Sequence, residues 1–162
     1  MEVVEGRATV DDLDAFVARL GAIGEEHDCA VQAFDARYVV DRAHLERAVE
    51  LADRARARGE AIANEYAVEI LLYAAGRRQI NQALEMGVST GESPVVVVVH
   101  GDDETGAAAA VREELAPADT LGNYDEERVR SFFDVGDRET AATSADLPTL
   151  VRERVALLTV DR

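Results

Sequence analysis

The sequence predicts an α/β (α+β) fold: a single domain, residues 1–162, in which about six helices pack around a small mixed sheet. Two stretches carry that expectation. The five consecutive valines at 95–99 read as a strand covered on both faces, the sheet's centre. Residues 66–75 are apolar on nearly every side, with Glu69 the only formal charge, and a helix apolar all round is enclosed by other elements. At 162 residues, 48% of them apolar, the chain is long enough to bury one real core.

In order, residues 2–9 alternate as an opening strand, with Gly6 its weak point. Asp11 or Asp12 caps a helix to about residue 26, whose Leu13, Phe16, Val17, Leu20 and Ile23 share one face. Residues 29–34, including the buried Cys29, alternate as a strand, and 38–40 suggest a short further one. Asp41 opens a helix ending at Gly59, with Leu45, Ala48, Val49, Ala52 and Ala55 inward. Asn64 suits the cap of the apolar helix. Residues 81–86 extend a short helix with Ile80, Ala83 and Leu84 inward, stopped by Gly87. A flexible link at 89–93 precedes the valine strand. Asp102 and Asp103 suit the cap of the next helix, residues 117–119 an exit loop, and Asp125 another helix through Val129, Phe132 and Phe133. After a polar stretch at 136–145, Asp146 starts a last helix with Leu147, Leu150, Val151, Arg154, Val155 and Leu158 in one broad stripe.

The chain holds 33 acids and 17 bases, every base an arginine, for a net charge of −16. Such a balance ordinarily argues against nucleic acid. It also suits a protein adapted to molar salt, where screening acts within about 3 Å. Residues 37–78 hold eight arginines and seven acids, about +1, while the rest holds nine and 26, about −17. An anionic partner is therefore expected in that window. On the helix from Asp41, Arg47, Arg54, Arg56 and Arg58 read as a solvated face balanced by Glu46, Glu50 and Asp53, with Arg58 the exception. Continued past Gly76, the apolar helix would put Tyr66, Ile70, Tyr73 and Arg77 on one stripe, suited to bases stacking on rings beside a guanidinium, although tyrosines at this spacing more often fill a core. Glu69 is expected to answer an arginine, since a lone buried carboxylate is costly.

Signs of bond-making chemistry are few. Gly87, Ser89 and Gly91 match G-x-S-x-G, but a helix precedes and a strand follows, the reverse of a nucleophile elbow. With no lysine there is no ordinary phosphate loop. His27, His44 and His100 fall on separate elements, so no metal site is expected. One cysteine excludes an internal disulfide. No apolar run reaches the roughly 18 residues of a membrane span, and no secretion signal is evident at the start, so a cytoplasmic location is expected.

Arg58-Gly59-Glu60, Glu69 through Tyr73 to Gly76, Arg78-Gln79-Ile80 and Ala83-Leu84 together resemble the kinase-binding subunit of the KEOPS complex, the TPRKB-like family. The closing segment from Leu150 through Arg154 to Leu157 is similar to that family's end. The resemblance implies a noncatalytic subunit, without cofactor, metal, membrane contact or small-molecule substrate of its own. It implies docking on the small atypical kinase subunit, with support of its ATPase activity. It also implies recruitment of tRNA by its single-stranded CCA tail for threonylcarbamoyladenosine synthesis. Arg58, Asn64, Tyr73, Arg77, Arg78 and Gln79 are then the RNA-binding candidates. Leu147, Leu150, Val151 and Leu157 are the kinase-binding candidates, residues that equally suit the core. The rival expectation is a small α/β nucleotide-binding protein or enzyme, with a deep pocket at His100 lined by Asp102 and Asp103 where the valine strand ends. A structural interaction module without RNA contact is a third.

Overall fold

A computed structural model describes residues 1–136 and 146–159. The chain runs β1 (Glu2–Val10), α1 (Leu13–His27), β2 (Cys29–Asp35), a 3₁₀ turn (Ala36–Tyr38), α2 (Arg42–Ala57), α3 (Tyr66–Ala75) and α4 (Ile80–Ala83). A second 3₁₀ turn (Leu84–Met86), β3 (Gly91–Gly101), α5 (Glu104–Glu113), β4 (Ala116–Pro117), α6 (Glu126–Phe133) and α7 (Leu147–Leu157) complete it. The four strands lie in the order β2-β3-β1-β4.

Every pairing is antiparallel, so the sheet is not mixed as the sequence suggested. An unbroken apolar run reports cover on both faces, and helices supply that cover over antiparallel strands as well as over parallel ones. The side-chain alternation of β3 divides the core accordingly. Val97 and Val99 meet Leu20 and Ile23 of α1 and Ala107, Ala108 and Val111 of α5. Val96 and Val98 meet the larger cluster from α2, α3, α6 and α7. The result is three layers, helix, sheet and helix.

Local chemistry sets most helix starts. Asp12, Asp41, Asp103, Asp125 and Asp146 each accept a bond from a first-turn amide, satisfying donors that a helix leaves unpaired. At α3 the capping position is Glu65, not Asn64, and no side chain bonds there. That helix also stops at Gly76, which takes φ 63° in the left-handed region while its amide and that of Arg77 close on Tyr73 and Leu72 carbonyls. Arg77 is therefore not on the helix that carries Tyr66, Ile70 and Tyr73.

Further differences are local. The short strand expected at 38–40 does not form: residues 36–38 turn as 3₁₀, with the Asp35 carboxylate accepting from the Arg37 amide, and Val39 and Val40 lie in no strand. The expected link at 89–93 contains the start of β3, which pairs back to β1 from Gly91, and Ala116 and Pro117 add to the other side of β1. Val17 faces outward at 58% exposure, and Ile80 and Leu84 at 48% and 56%; their short elements leave only Ala83 and Met86 buried. Cys29 is half-buried. The polar stretch at 137–145 lies outside the described residues. Among those described, no helix is long and apolar enough to cross a membrane.

Candidate nucleic-acid and partner interface

Glu69 is fully buried, and its partners are backbone amides, not an arginine. Ile62 N–H donates to both carboxylate oxygens at 3.0 and 2.9 Å, and Ala63 N–H to one at 2.8 Å. These bonds pin the segment entering α3. On the other side, His44 is enclosed completely. The Val40 amide donates to Nδ1 at 3.3 Å, which places the proton on Nε2, and Nε2–H donates to the Ala74 carbonyl at 2.8 Å. Burial pulls the His44 pKa down from 6.5 to about 4, although the bond to Ala74 opposes it. A neutral imidazole thus ties α2 to the end of α3.

From there the C-terminal ends of α2, α3, α6 and α7 gather at one end of the molecule. A small depression of about 60 Å³ is lined by Arg54, Arg58, Tyr73 and Thr159 among others. A second, of about 200 Å³, is lined by Gly76, Arg77, Phe133, Arg154 and Leu157 among others. Helix C-termini present unpaired carbonyls that attract cations, and two arginines answer those of α6. Arg77 Nη2 donates to the Phe132 carbonyl, with the guanidinium 4.8 Å from that ring's centre. Arg154 donates to the carbonyls of Phe133 at 3.1 Å and Asp134 at 3.0 Å.

The RNA candidates accordingly divide. Arg58, Asn64, Arg78 and Gln79 are exposed. Among the described residues Arg58 has no acidic partner, whereas Arg47 and Arg54 both pair with Glu50 at 2.9 Å and Arg56 lies over the Tyr66 ring at 4.6 Å. Arg77 is half-buried and closes a helix end. The Tyr73 ring is fully buried, so it offers no face for a base to stack on. Arg58, Tyr73 and Arg77 border the gathered helix ends, whereas Asn64 precedes the opposite end of α3. Arg54 and Arg154, which share the two depressions, were missed; the spacing of Arg54 and Arg58 was the available signal for the first.

The kinase-face candidates divide too. Leu147, Leu150 and Val151 lie in the core, because the apolar stripe of α7 packs inward. Leu157 remains outside at 44% exposure. The outward Ile80 and Leu84, one turn apart beside Arg78, were expected inside.

The pocket expected for an enzyme takes a different form. An open depression does reach His100, but neither Asp102 nor Asp103 lines it. Asp103 caps α5 and bonds the His27 ring at 2.7 Å, which holds its carboxyl below the usual range. His100 sits between Asp53 at 3.2 Å and Glu104 at 3.5 Å. Burial raises the Glu104 pKa, but the Gly101 amide and the Met1 ammonium outweigh it and leave the pKa lowered. No group of three or more potential metal ligands converges among the described residues.

Layered fold and exposed edge together define a class, the three-layer α/β protein with an antiparallel sheet and an arginine-bearing end at its gathered helix termini. The chain belongs to the kinase binding protein CGI-121 family, whose model matches residues 9–159. No curated protein matches it. Family membership agrees with the resemblance carried by residues 58–84 and 150–158.

Proposed function

We propose that this chain is the noncatalytic, kinase-binding subunit of a KEOPS tRNA-modification complex, acting in the cytoplasm of a halophilic archaeon. In that role it docks on the small atypical kinase subunit and supports its ATPase activity. It also brings tRNA to the assembly by the single-stranded CCA tail, for threonylcarbamoyladenosine synthesis. The observation that carries the proposal is the family match across residues 9–159.

The surface adds support. Arg58, Arg78 and Gln79 are exposed around the end of α3, and among the described residues Arg58 and Arg78 have no acidic partner. Free guanidinium groups on an otherwise acidic chain suit phosphate, and splayed single-stranded nucleotides suit a small cationic edge better than a duplex does. Arg77 contributes by shaping that edge through the α6 carbonyl. Ile80, Leu84 and Leu157 are the exposed apolar side chains available near it for a protein partner. Copurification from the native host tests the reading. Mass spectrometry of the eluate is expected to find the kinase subunit, and sequencing of bound RNA to find tRNA; recovery of neither contradicts it.

A further inference from the structure

β2 forms one margin of the sheet, with β3 on one side and, among the described residues, no strand on the other. Such a margin leaves alternate N–H and C=O groups open to another chain, and native proteins ordinarily block it. One carbonyl of this strand is capped. The Gln32 side chain turns back and donates to the Ala33 carbonyl at 2.8 Å.

The other part, beyond the Cys29 carbonyl that Gly24 of α1 closely approaches, runs through Ala30 and Val31 beside an open trough of about 610 Å³. The trough lies where the two helical layers part, with Gly21, Gly24 and Glu25 of α1 on one wall and Tyr66 and Ala67 of α3 on the other. Its α1 wall is cut back to glycine at Gly21, where an added Cβ would meet nothing within 4 Å. An extended backbone therefore has room to lie against the strand.

The charges around the trough select the visitor. Glu25, Asp28 and Glu65 line it, with Arg56 over the Tyr66 ring at its margin, in contrast to the depressions that Arg58 and Arg77 themselves line. A second copy of a chain carrying −16 would bring two acidic rims together. We infer that the open part of β2 is a docking site for an extended, basic-flanked segment of another protein, bound by strand addition. Main-chain bonds to β2 supply affinity, a small apolar side chain packs toward Tyr66, and flanking cations meet the three carboxylates. The site is independent of the proposed RNA edge. It lies at the opposite end of α3, whose 10 residues span about 15 Å.

The test uses the intact chain at the lowest salt where circular dichroism shows it folded. The probe is the acetylated, amidated pentapeptide Arg-Val-Thr-Val-Arg, compared with a twin N-methylated at its inner amides, which keeps the charge and loses the donors. Saturable NMR shifts of the amides at 29–31 are expected, with the twin at least tenfold weaker. Gly21→Gln fills the trough with no steric cost and is expected to weaken the peptide at least tenfold while melting no lower than the native chain. Glu25→Arg, an exposed change, is expected to weaken it several-fold. Equal binding of the two peptides, shifts scattered over the acidic surface, or no saturable shift at millimolar peptide overturns the inference. So does a dimer by sedimentation that Gly21→Gln abolishes, because the occupant would then be a second copy.

Discussion

Acidification acts on this fold through His44. The unfolded imidazole takes up a proton as the pH falls through 6.5, whereas the enclosed one resists until about 4. Between those values the unfolded state binds more protons, so the stability held by His44 is complete above 6.5 and is lost as the pH falls toward 4. The gap from 6.5 to about 4, at about 1.4 kcal/mol per pH unit, is worth about 3 kcal/mol in full. By pH 5 about 2 kcal/mol of it is gone. Urea unfolding of the native chain and of His44→Gln, which cannot titrate, isolates this contribution, since the many carboxylates titrate alike in both. The stability difference between them is expected to shift by about 2 kcal/mol against the native chain from pH 7.5 to 5. A difference that stays constant across that range refutes the assignment of a neutral, buried imidazole between Val40 and Ala74.

Three further outcomes follow from the same geometry. Glu69→Ala leaves the amides of Ile62 and Ala63 without their acceptor. It is expected to cost about 2–4 kcal/mol in denaturant unfolding, with faster amide exchange at residues 60–65. Two glycines of α1 are expected to part company on replacement by alanine. Gly21→Ala gains roughly 0.5–1 kcal/mol from helix propensity, whereas Gly24→Ala loses stability because its Cβ would sit 2.5 Å from the Cys29 carbonyl oxygen; thermal melts read both. Arg77→Glu lowers the melting temperature by losing the Phe132 carbonyl bond, while Arg78→Glu leaves it unchanged.

What was legible in the sequence was mostly local. Asp41, Asp125 and Asp146 were readable as caps because an N-cap is set by residues within one turn. The valine strand was readable because burial on both faces needs no alternation. Strand direction was not legible, because β3 finds β1 and β2 across more than fifty residues and its own composition is silent on their sense. Glu69 illustrates a second limit. Its burial implied a partner, but two backbone amides from a preceding loop carry no side-chain signature. The proposed site was legible as a region more than as a set of residues. The arginine excess at 37–78 marked it, yet whether a given arginine holds a helix end, as Arg77 does, or has no acidic partner among the described residues, as is the case for Arg78, depends on where α6 terminates. Tyr73 shows the cost of periodicity taken alone, since Gly76 breaks the stripe and the ring turns into the core. Leu147, Leu150 and Val151 fall inside while Leu157 stays outside for a related reason: a stripe wide enough to serve a partner is equally wide enough to fill an interior.

The central claim is recognition of a single-stranded tRNA end by a free cationic edge. Filter binding of the native chain and Arg78→Glu to tRNA with and without its terminal CCA, in the presence of the kinase subunit, tests it most directly. Removing CCA is expected to weaken the native chain at least tenfold and to leave the already weakened Arg78→Glu unaffected. Equal affinity of the native chain for both tRNAs, or an unchanged affinity of Arg78→Glu for the complete one, contradicts the account.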